Sequence, residues 1–383
     1  MMSNITKSIK YVGVNDKTID LFEGQYVVPN GISYNSYVLI DDKIAVFDTV
    51  DKRKTDEWLA NLEVTLGGRN PDYLIISHME PDHSSSIRSF LSKYPKTVAV
   101  GNEKTFGIAE RFFGKLIENK HVVKEGDELS LGKHVLKFVF APMVHWPEVM
   151  FTYEKTEKVL FSADAFGKFG ALDADEDWAC EARRYYFNIV GKYGTTVQAV
   201  LKKAAALDIS IICPLHGPVL TENLGYYIDK YNTWSTYTPE DKGVTIAYAS
   251  IYGNTAAAAQ KLAELLTAKG VKASVFDLAR CDMAEAVEDA FRYDRLVTAG
   301  ITYDGAIMPV METFINKLKA KNYQNRKIAF IENGSWAPAA AKTMRTMFEA
   351  MKNISFAETV VTVKSALESE AEKQLEALAT ELA

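Results

Sequence analysis

The sequence predicts a two-domain chain of combined α/β and α+β class. Its 383 residues exceed the roughly 100 to 200 that one hydrophobic core organises. The first part is a succession of short apolar runs with occasional helical patterns, as in a layered α/β or α+β domain. The last part alternates strand and helix cleanly, which implies a parallel, doubly wound sheet.

The elements follow in order. Apolar runs at 37–40, 44–47, 73–76, 135–140 and 159–161 are short, rich in β-branched and aromatic residues, and flanked by Asp, Gly or Pro. Those features favour strands. Helical patterns fall at 55–66, 105–113 and 197–207. The polar stretch Thr238-Pro239-Glu240-Asp241-Lys242-Gly243 separates two apolar-patterned regions, as a domain boundary does. Domains 1–240 and 241–383 are therefore expected. Beyond the boundary, strands at 244–249, 272–277, 295–299, 327–332 and 358–363 alternate with helices at 255–269, 283–291, 311–319 and 339–352 and a closing helix. There is no internal repeat and no low-complexity tract.

Composition narrows the function. Hydrophobic residues make up 48% and charged residues 25%, a globular balance, and the net charge of −6 disfavours a nucleic-acid backbone or an anionic membrane as partner. Three cysteines, Cys180, Cys213 and Cys281, form no C-x-x-C pair. This excludes a disulfide scaffold, a zinc ribbon and a rubredoxin-type site within the chain, and they read as ordinary buried or half-buried residues. The polar start, Met1 to Lys10, lacks the apolar core of a secretory signal, and no apolar run is long enough to cross a bilayer. A cytoplasmic location is expected.

In the second domain the first turn after a strand reads Ser250-Ile251-Tyr252-Gly253-Asn254-Thr255. Hydroxyls, an approachable glycine and the N–H groups of a helix start suit an anion, and the lack of a lysine suits a monophosphate. An ordinary N-capped helix explains this turn equally well. Two further loops tip the balance: Thr302-Tyr303-Asp304-Gly305 and Asn333-Gly334-Ser335-Trp336 end the third and fourth strands. Loops at the carboxyl ends of parallel strands converge on the ligand crevice, and Tyr303 and Trp336 offer flat surfaces for a planar ring. The three loops together resemble flavodoxin over about 140 residues, and the resemblance implies non-covalently bound FMN.

The densest chemistry lies in Ser77-His78-Met79-Glu80-Pro81-Asp82-His83, directly after a strand. Four potential metal ligands on one loop would repel or stay desolvated unless a cation neutralises them. His145 follows the strand ending at Phe140, Asp164 follows the strand 159–162, and His216 follows the strand 210–213. If these strands run parallel in one sheet, four imidazoles and three carboxylates emerge along one edge. Seven groups suit two metal ions that share a carboxylate.

This pattern resembles the metallo-β-lactamase superfamily, whose loop is H-x-H-x-D-H, with Glu80 replacing the second histidine. An extra hard oxygen donor favours iron over zinc. The Glu variant followed by a flavodoxin-like domain resembles the flavodiiron proteins (A-type flavoproteins) over nearly the whole chain. The resemblance implies an N-terminal αββα sandwich, FMN and two non-haem irons. It places His78, Glu80 and His145 on one iron, and Asp82, His83 and His216 on the other, with Asp164 bridging. Ser85 stands where the family often has Gly. The resemblance further implies reduction of dioxygen to water or nitric oxide to nitrous oxide, and a head-to-tail homodimer or dimer of dimers. It also implies an external donor such as rubredoxin, since the Cys-rich module of some relatives is absent. The alternatives are a dizinc hydrolase with a regulatory flavodoxin domain and a pure electron carrier. His121 and His134 receive no role; the resemblance would let Tyr193 and Trp146 line the substrate cavity, while their residue type alone reads as core or surface aromatics.

Overall fold

The computed structural model describes residues 4–383. They divide into two compact units, one running through Tyr185 and including Thr195–Asn232, the other joining Tyr186–Gly194 to Thr233–Ala383.

In the first unit a six-stranded sheet is ordered Ile9–Tyr11, Tyr37–Ile40, Ile44–Phe47, Tyr73–Ile75, Val98–Gly101, Lys120–Val122. Its pairing is antiparallel up to Ile44–Phe47 and parallel from there onward. A five-stranded sheet is ordered Glu128–Ser130, Val135–Phe140, Met150–Glu154, Val159–Phe161, Ile211–Cys213. Only its last pair is parallel. The inward residues of both sheets form one core, with Leu39, Phe47 and Ile75 meeting Phe138, Met150 and Phe161. Phe47 and Phe161 stack with centroids 3.7 Å apart. Val38, Val46, Leu74 and Ala99 alternate with the inward set and are equally buried, so the other face is covered too. Helices Thr55–Leu66 and Ile87–Lys93 bring buried Trp58, Leu62 and Phe90.

Several elements escape the sequence pattern. Met150–Glu154 is buried at all five positions, so it shows no alternation. Lys120–Val122 is exposed at all three, because it is the sheet edge. Helices Ile87–Lys93, Trp178–Tyr185 and Leu224–Ser235 were also not apparent from periodicity.

In the second unit five parallel strands are ordered Ala273–Asp277, Asp241–Tyr248, Tyr293–Tyr303, Arg326–Asn333, Ile354–Val363. The winding direction reverses at Asp241–Tyr248, which opens a ligand crevice at the carboxyl ends of the strands. Helices Asn254–Ala268 and Ser369–Glu381 cover one face through Leu262, Leu266, Leu375 and Leu378. The first strand starts earlier than its apolar run, at Asp241, with a register shift before Val244 that lets polar residues join it. Among the described residues no helix is long and apolar enough to cross a membrane.

The closing helix is latched by one side chain. Glu381 accepts N–H groups of Glu358 and Thr359 at 2.9 and 3.0 Å and pairs with Lys327 at 2.8 Å. Burial alone would raise this carboxyl, but those donors hold it at about 2, below its ordinary 4.5. The latch is therefore fully present above the unfolded value and lost as pH falls toward 2. Glu381→Gln is expected to cost about 1–2 kcal/mol at pH 7 and almost nothing near pH 2 in urea denaturation. An equal loss at both pH values would disprove the latch.

Candidate dimetal and flavin sites

The loop after Tyr73–Ile75 carries His78 and Glu80, then turns into the short helix Pro81–Ser84 that carries Asp82 and His83. Ser85 is right-handed there, with φ −65°, so no glycine is required. His145 follows Val135–Phe140, Asp164 follows Val159–Phe161, and His216 follows Ile211–Cys213. The expectation of one parallel sheet needs correction. The 78–83 loop leaves the six-stranded sheet, the others leave the five-stranded one, and an antiparallel strand lies between two of them. The groups meet because both sheets present carboxyl ends at one end of the sandwich.

The seven groups form two clusters. In the first, Glu80 Oε2 lies 3.3 Å from His78 Nε2 and 3.0 Å from His145 Nε2, and Asp164 Oδ2 lies 3.4 and 3.2 Å from the same two nitrogens. In the second, Asp82 Oδ2 lies 3.2 Å from both His83 Nε2 and His216 Nε2, which are 3.1 Å apart. Asp164 Oδ1 faces this second cluster, 3.2 Å from His83 Nε2 and 3.9 Å from His216 Nε2. One carboxylate thus turns one oxygen to each cluster. Ligand atoms within 4.8 Å of one another in each set are spaced to hold a metal ion.

The donor chemistry fits cations. Asp82 Oδ1 and Oδ2 and Asp164 Oδ1 and Oδ2 are buried without hydrogen-bond partners. Burial lowers the proton affinity of His78 and His145, yet Asp164, Glu148 and Glu80 override it at His78, raising it well above its ordinary value, and Asp164 and Glu80 raise His145 to about 9. The cluster therefore demands positive charge, which metal ions supply. Three backbone residues beside it, Met143, Ala163 and Phe166, are non-glycine at φ +63°, +47° and +67°. Such strain, of order 1–3 kcal/mol each, gathers at functional sites.

Around the clusters stand residues the sequence did not single out. Asp48 Oδ1 accepts the N–H groups of Ser77 and His78 at 2.7 and 3.2 Å, and burial pushes its carboxyl up to about 6 against those donors. Glu148 Oε1 accepts His78 Nδ1–H at 2.8 Å and Met79 N–H at 2.9 Å. The Ser33 carbonyl accepts His216 Nδ1–H at 2.7 Å. These bonds put the His78 and His216 protons on Nδ1 and leave Nε2 free to coordinate. Phe22, Tyr34 and Tyr185 crowd the His216 ring, with centroids 5.5 to 6.0 Å away. Trp146 lies edge-on to His78 at 5.3 Å. Glu148, three residues after His145, was the one with a signal, because a charged residue in an apolar turn needs a partner. Asp48 resembles any strand-end aspartate. Tyr193 belongs to a short helix in the other unit. His134 pairs with Asp41 at 2.8 Å, away from the clusters. Cys180 is exposed, contrary to expectation, and Cys213 is buried.

Gly167 shows how tightly this end is packed. A Cβ there would lie 2.9 Å from Asp164 O and 3.4 Å from His216 Cβ. Gly167→Ala is expected to weaken metal retention roughly tenfold in chelator competition; wild-type retention would show the packing to be irrelevant.

In the second unit the three expected loops line one cavity of about 650 Å³. All of their residues contribute except Gly253, which instead ends the turn at φ +91° and leaves helix Asn254–Ala268 without a side-chain cap. The ordinary N-cap explanation therefore fails, and first-turn N–H groups remain for an anion. Ser250 Oγ accepts Gly253 N–H at 3.1 Å and tightens the turn. Asp304-Gly305, at φ +49° and +73°, makes the two-residue turn of a hairpin. Thr302 Oγ1 accepts Ala339 N–H at 2.8 Å. Among the described residues no Lys or Arg lines the cavity, and Tyr252 and Trp336 are 91% and 92% exposed beside it. A fourth loop was missed. Ser365 lines the cavity, is held by Asn333 through N–H and carbonyl bonds of 3.1 Å, and bonds Ser335 at 2.7 Å.

Comparison with known proteins identifies both domains. Residues 32–217 match the model of the ODP family beta lactamase, and residues 245–372 match that of a flavodoxin domain. The nitric oxide reductase of Moorella thermoacetica is 29% identical over 371 residues, covering 94% of this chain and 92% of that protein. The anaerobic nitric oxide reductase flavorubredoxin of Vibrio vulnificus is 30% identical over 349 residues, 88% of this chain and 70% of that protein. The structure of rubredoxin oxygen:oxidoreductase from Desulfovibrio gigas superposes with a TM-score of 0.92 at 25% identity, covering 100% of this chain and 98% of that one. A metallo-β-lactamase-like domain joined to a flavodoxin-like domain defines the class. The chain belongs to the flavodiiron protein family. It is an oxidoreductase whose cofactors are FMN and a non-haem diiron centre.

Proposed function

We propose that this protein reduces dioxygen to water, nitric oxide to nitrous oxide, or both, with electrons relayed through FMN from an external donor such as rubredoxin. The observation that carries this reading is Asp164, whose two oxygens face two separate His and carboxylate clusters. On this reading His78, Glu80 and His145 hold one iron, Asp82, His83 and His216 the other, and Asp164 bridges them. The metal chemistry belongs to residues 1–240 and the flavin to 241–383, where the 250–255, 302–305 and 333–336 loops hold FMN.

Held by these residues, a diiron centre would supply electrons and an open place for a small diatomic, and FMN would supply one- and two-electron relay chemistry. The chain's own groups do the rest. Glu148 and the Ser33 carbonyl keep His78 and His216 protonated at Nδ1, so that Nε2 of each faces its cluster. Phe22, Tyr34, Tyr185 and Trp146 wall the centre with rings, which limits water and admits small apolar gases. Four electrons and four protons convert dioxygen to two waters; two of each couple two nitric oxide molecules to nitrous oxide and water. A cytoplasmic homodimer, head-to-tail or paired into a tetramer, completes the proposal.

The test is stopped-flow mixing of the reduced, iron-loaded protein with each gas. Fast flavin reoxidation with at least one gas, with water or nitrous oxide as product, is expected. Two zinc ions per chain with ester or amide hydrolysis, and no gas consumption, would overturn the proposal in favour of a hydrolase.

A further inference from the structure

The imidazoles of the two clusters are not backed alike. His78 donates from Nδ1 to a carboxylate, Glu148, at 2.8 Å. His216 donates from Nδ1 to a neutral main-chain carbonyl, and His83 Nδ1 is buried without a partner. Glu148 is fully buried, and its second oxygen, Oε2, has no hydrogen-bond partner. Among the described residues its ion pair is with His78 alone, with no Lys or Arg to cancel its charge. The backbone around it is pinned, because Asn102 Nδ2 donates to the Glu148 carbonyl at 2.6 Å while Asn102 Oδ1 caps helix Glu103–Phe113. A buried carboxylate thus hydrogen-bonds an imidazole of the first cluster, whereas the second-cluster rings are backed by a carbonyl or by no partner.

We infer that Glu148 is a positioning residue that makes the two metal positions electrically unequal, so that the iron at His78, Glu80 and His145 gives up its electron first. This rests on the diiron reading above. Each cluster has one carboxylate of its own, Glu80 or Asp82, and both share Asp164. Glu148 adds a third negative charge to the first cluster through the His78 ring. A carboxylate behind a coordinating imidazole makes the ring a stronger donor and stabilises the higher-charged metal. Asp48 is a second buried carboxylate, and its charge also acts on His83, but its side-chain bonds go to the main-chain N–H groups of Ser77 and His78 and none reaches a coordinating ring, so the carboxylate-to-imidazole bond of Glu148 stays unmatched in the second cluster. When an external oxidant withdraws one electron from two ferrous ions, one ferrous and one ferric ion remain, and the ferric charge settles beside His78.

The test uses the full chain loaded with FMN and iron. Glu148→Gln keeps an acceptor oxygen for His78 and Met79 but removes the charge. In a redox titration followed by the paramagnetic resonance of the half-oxidised centre, the lower iron potential is expected to rise and the gap between the two couples to narrow. The half-oxidised population at the midpoint should fall, while the flavin potentials and iron content stay unchanged. Two bound irons with both couples unmoved, or both raised equally, would overturn the inference while leaving the diiron reading intact. A wild-type chain that takes up no iron would overturn both. A measurement without any variant gives a second check. Wild-type protein loaded with one equivalent each of gallium(III) and zinc(II) should show gallium at the His78 position by anomalous scattering, and gallium at the other position or evenly split would refute the assignment.

Discussion

Asp164→Ala is expected to lower dioxygen and nitric oxide consumption by at least roughly 100-fold while FMN stays bound in wild-type amount. Asp164 is completely buried, and its oxygens are 3.2 to 3.4 Å from His78, His83 and His145. The contacts of its two oxygens hold its carboxyl far below the ordinary range despite burial. Without it, neither cluster keeps a second carboxylate, and nothing spans the two. Iron content should fall by one or two ions per chain, measured by metal analysis beside the gas electrode. Turnover that survives the substitution would show that the two clusters do not act as one centre.

Gly334→Val should have the largest effect on the flavin side. A Cβ at position 334 would come within 2.8 Å of Pro338 Cα and 3.1 Å of Pro338 N, both backbone atoms that cannot swing away. The turn from Asn333 to Pro338 must open, and it lines the cavity through Asn333, Gly334, Ser335, Trp336 and Ala337. FMN affinity is expected to drop by about 10- to 100-fold, read by flavin fluorescence on dilution, with iron content unchanged. Unaltered affinity would show that this loop is not a flavin contact. The Asp164 and Gly334 variants should fail separately, one keeping FMN and losing iron, the other the reverse.

The fold class and the residues of both candidate sites were legible in the chain because each has a local signature. The second unit's strands read as compact apolar runs because a doubly wound sheet is buried on both faces. The 78–83 loop announces itself by packing four ionisable side chains into six positions, a cost that solvent alone does not explain. The missing strands have the opposite character. Met150–Glu154 carries Thr152 and Glu154 fully buried inside the sandwich, which no alternation reveals. Ser365 was invisible for a related reason, since its role depends on the side chain of Asn333 thirty-two residues earlier.

Local sequence thus determines which residues can act: the His, Asp and Glu set, the lysine-free phosphate turn and the two aromatic-bearing loops. Their chemistry resides in side-chain type and short spacing, which the chain carries unaided. The three-dimensional fold decides how they combine. It brings the 78–83 loop and the 145, 164 and 216 positions together from two different sheets, turns one oxygen of Asp164 toward each cluster, and puts Glu148 behind His78 but only a carbonyl behind His216. Those relations join residues up to 183 positions apart. They depend on sheet pairing and on the burial of charge, neither of which is a property of any short stretch of sequence.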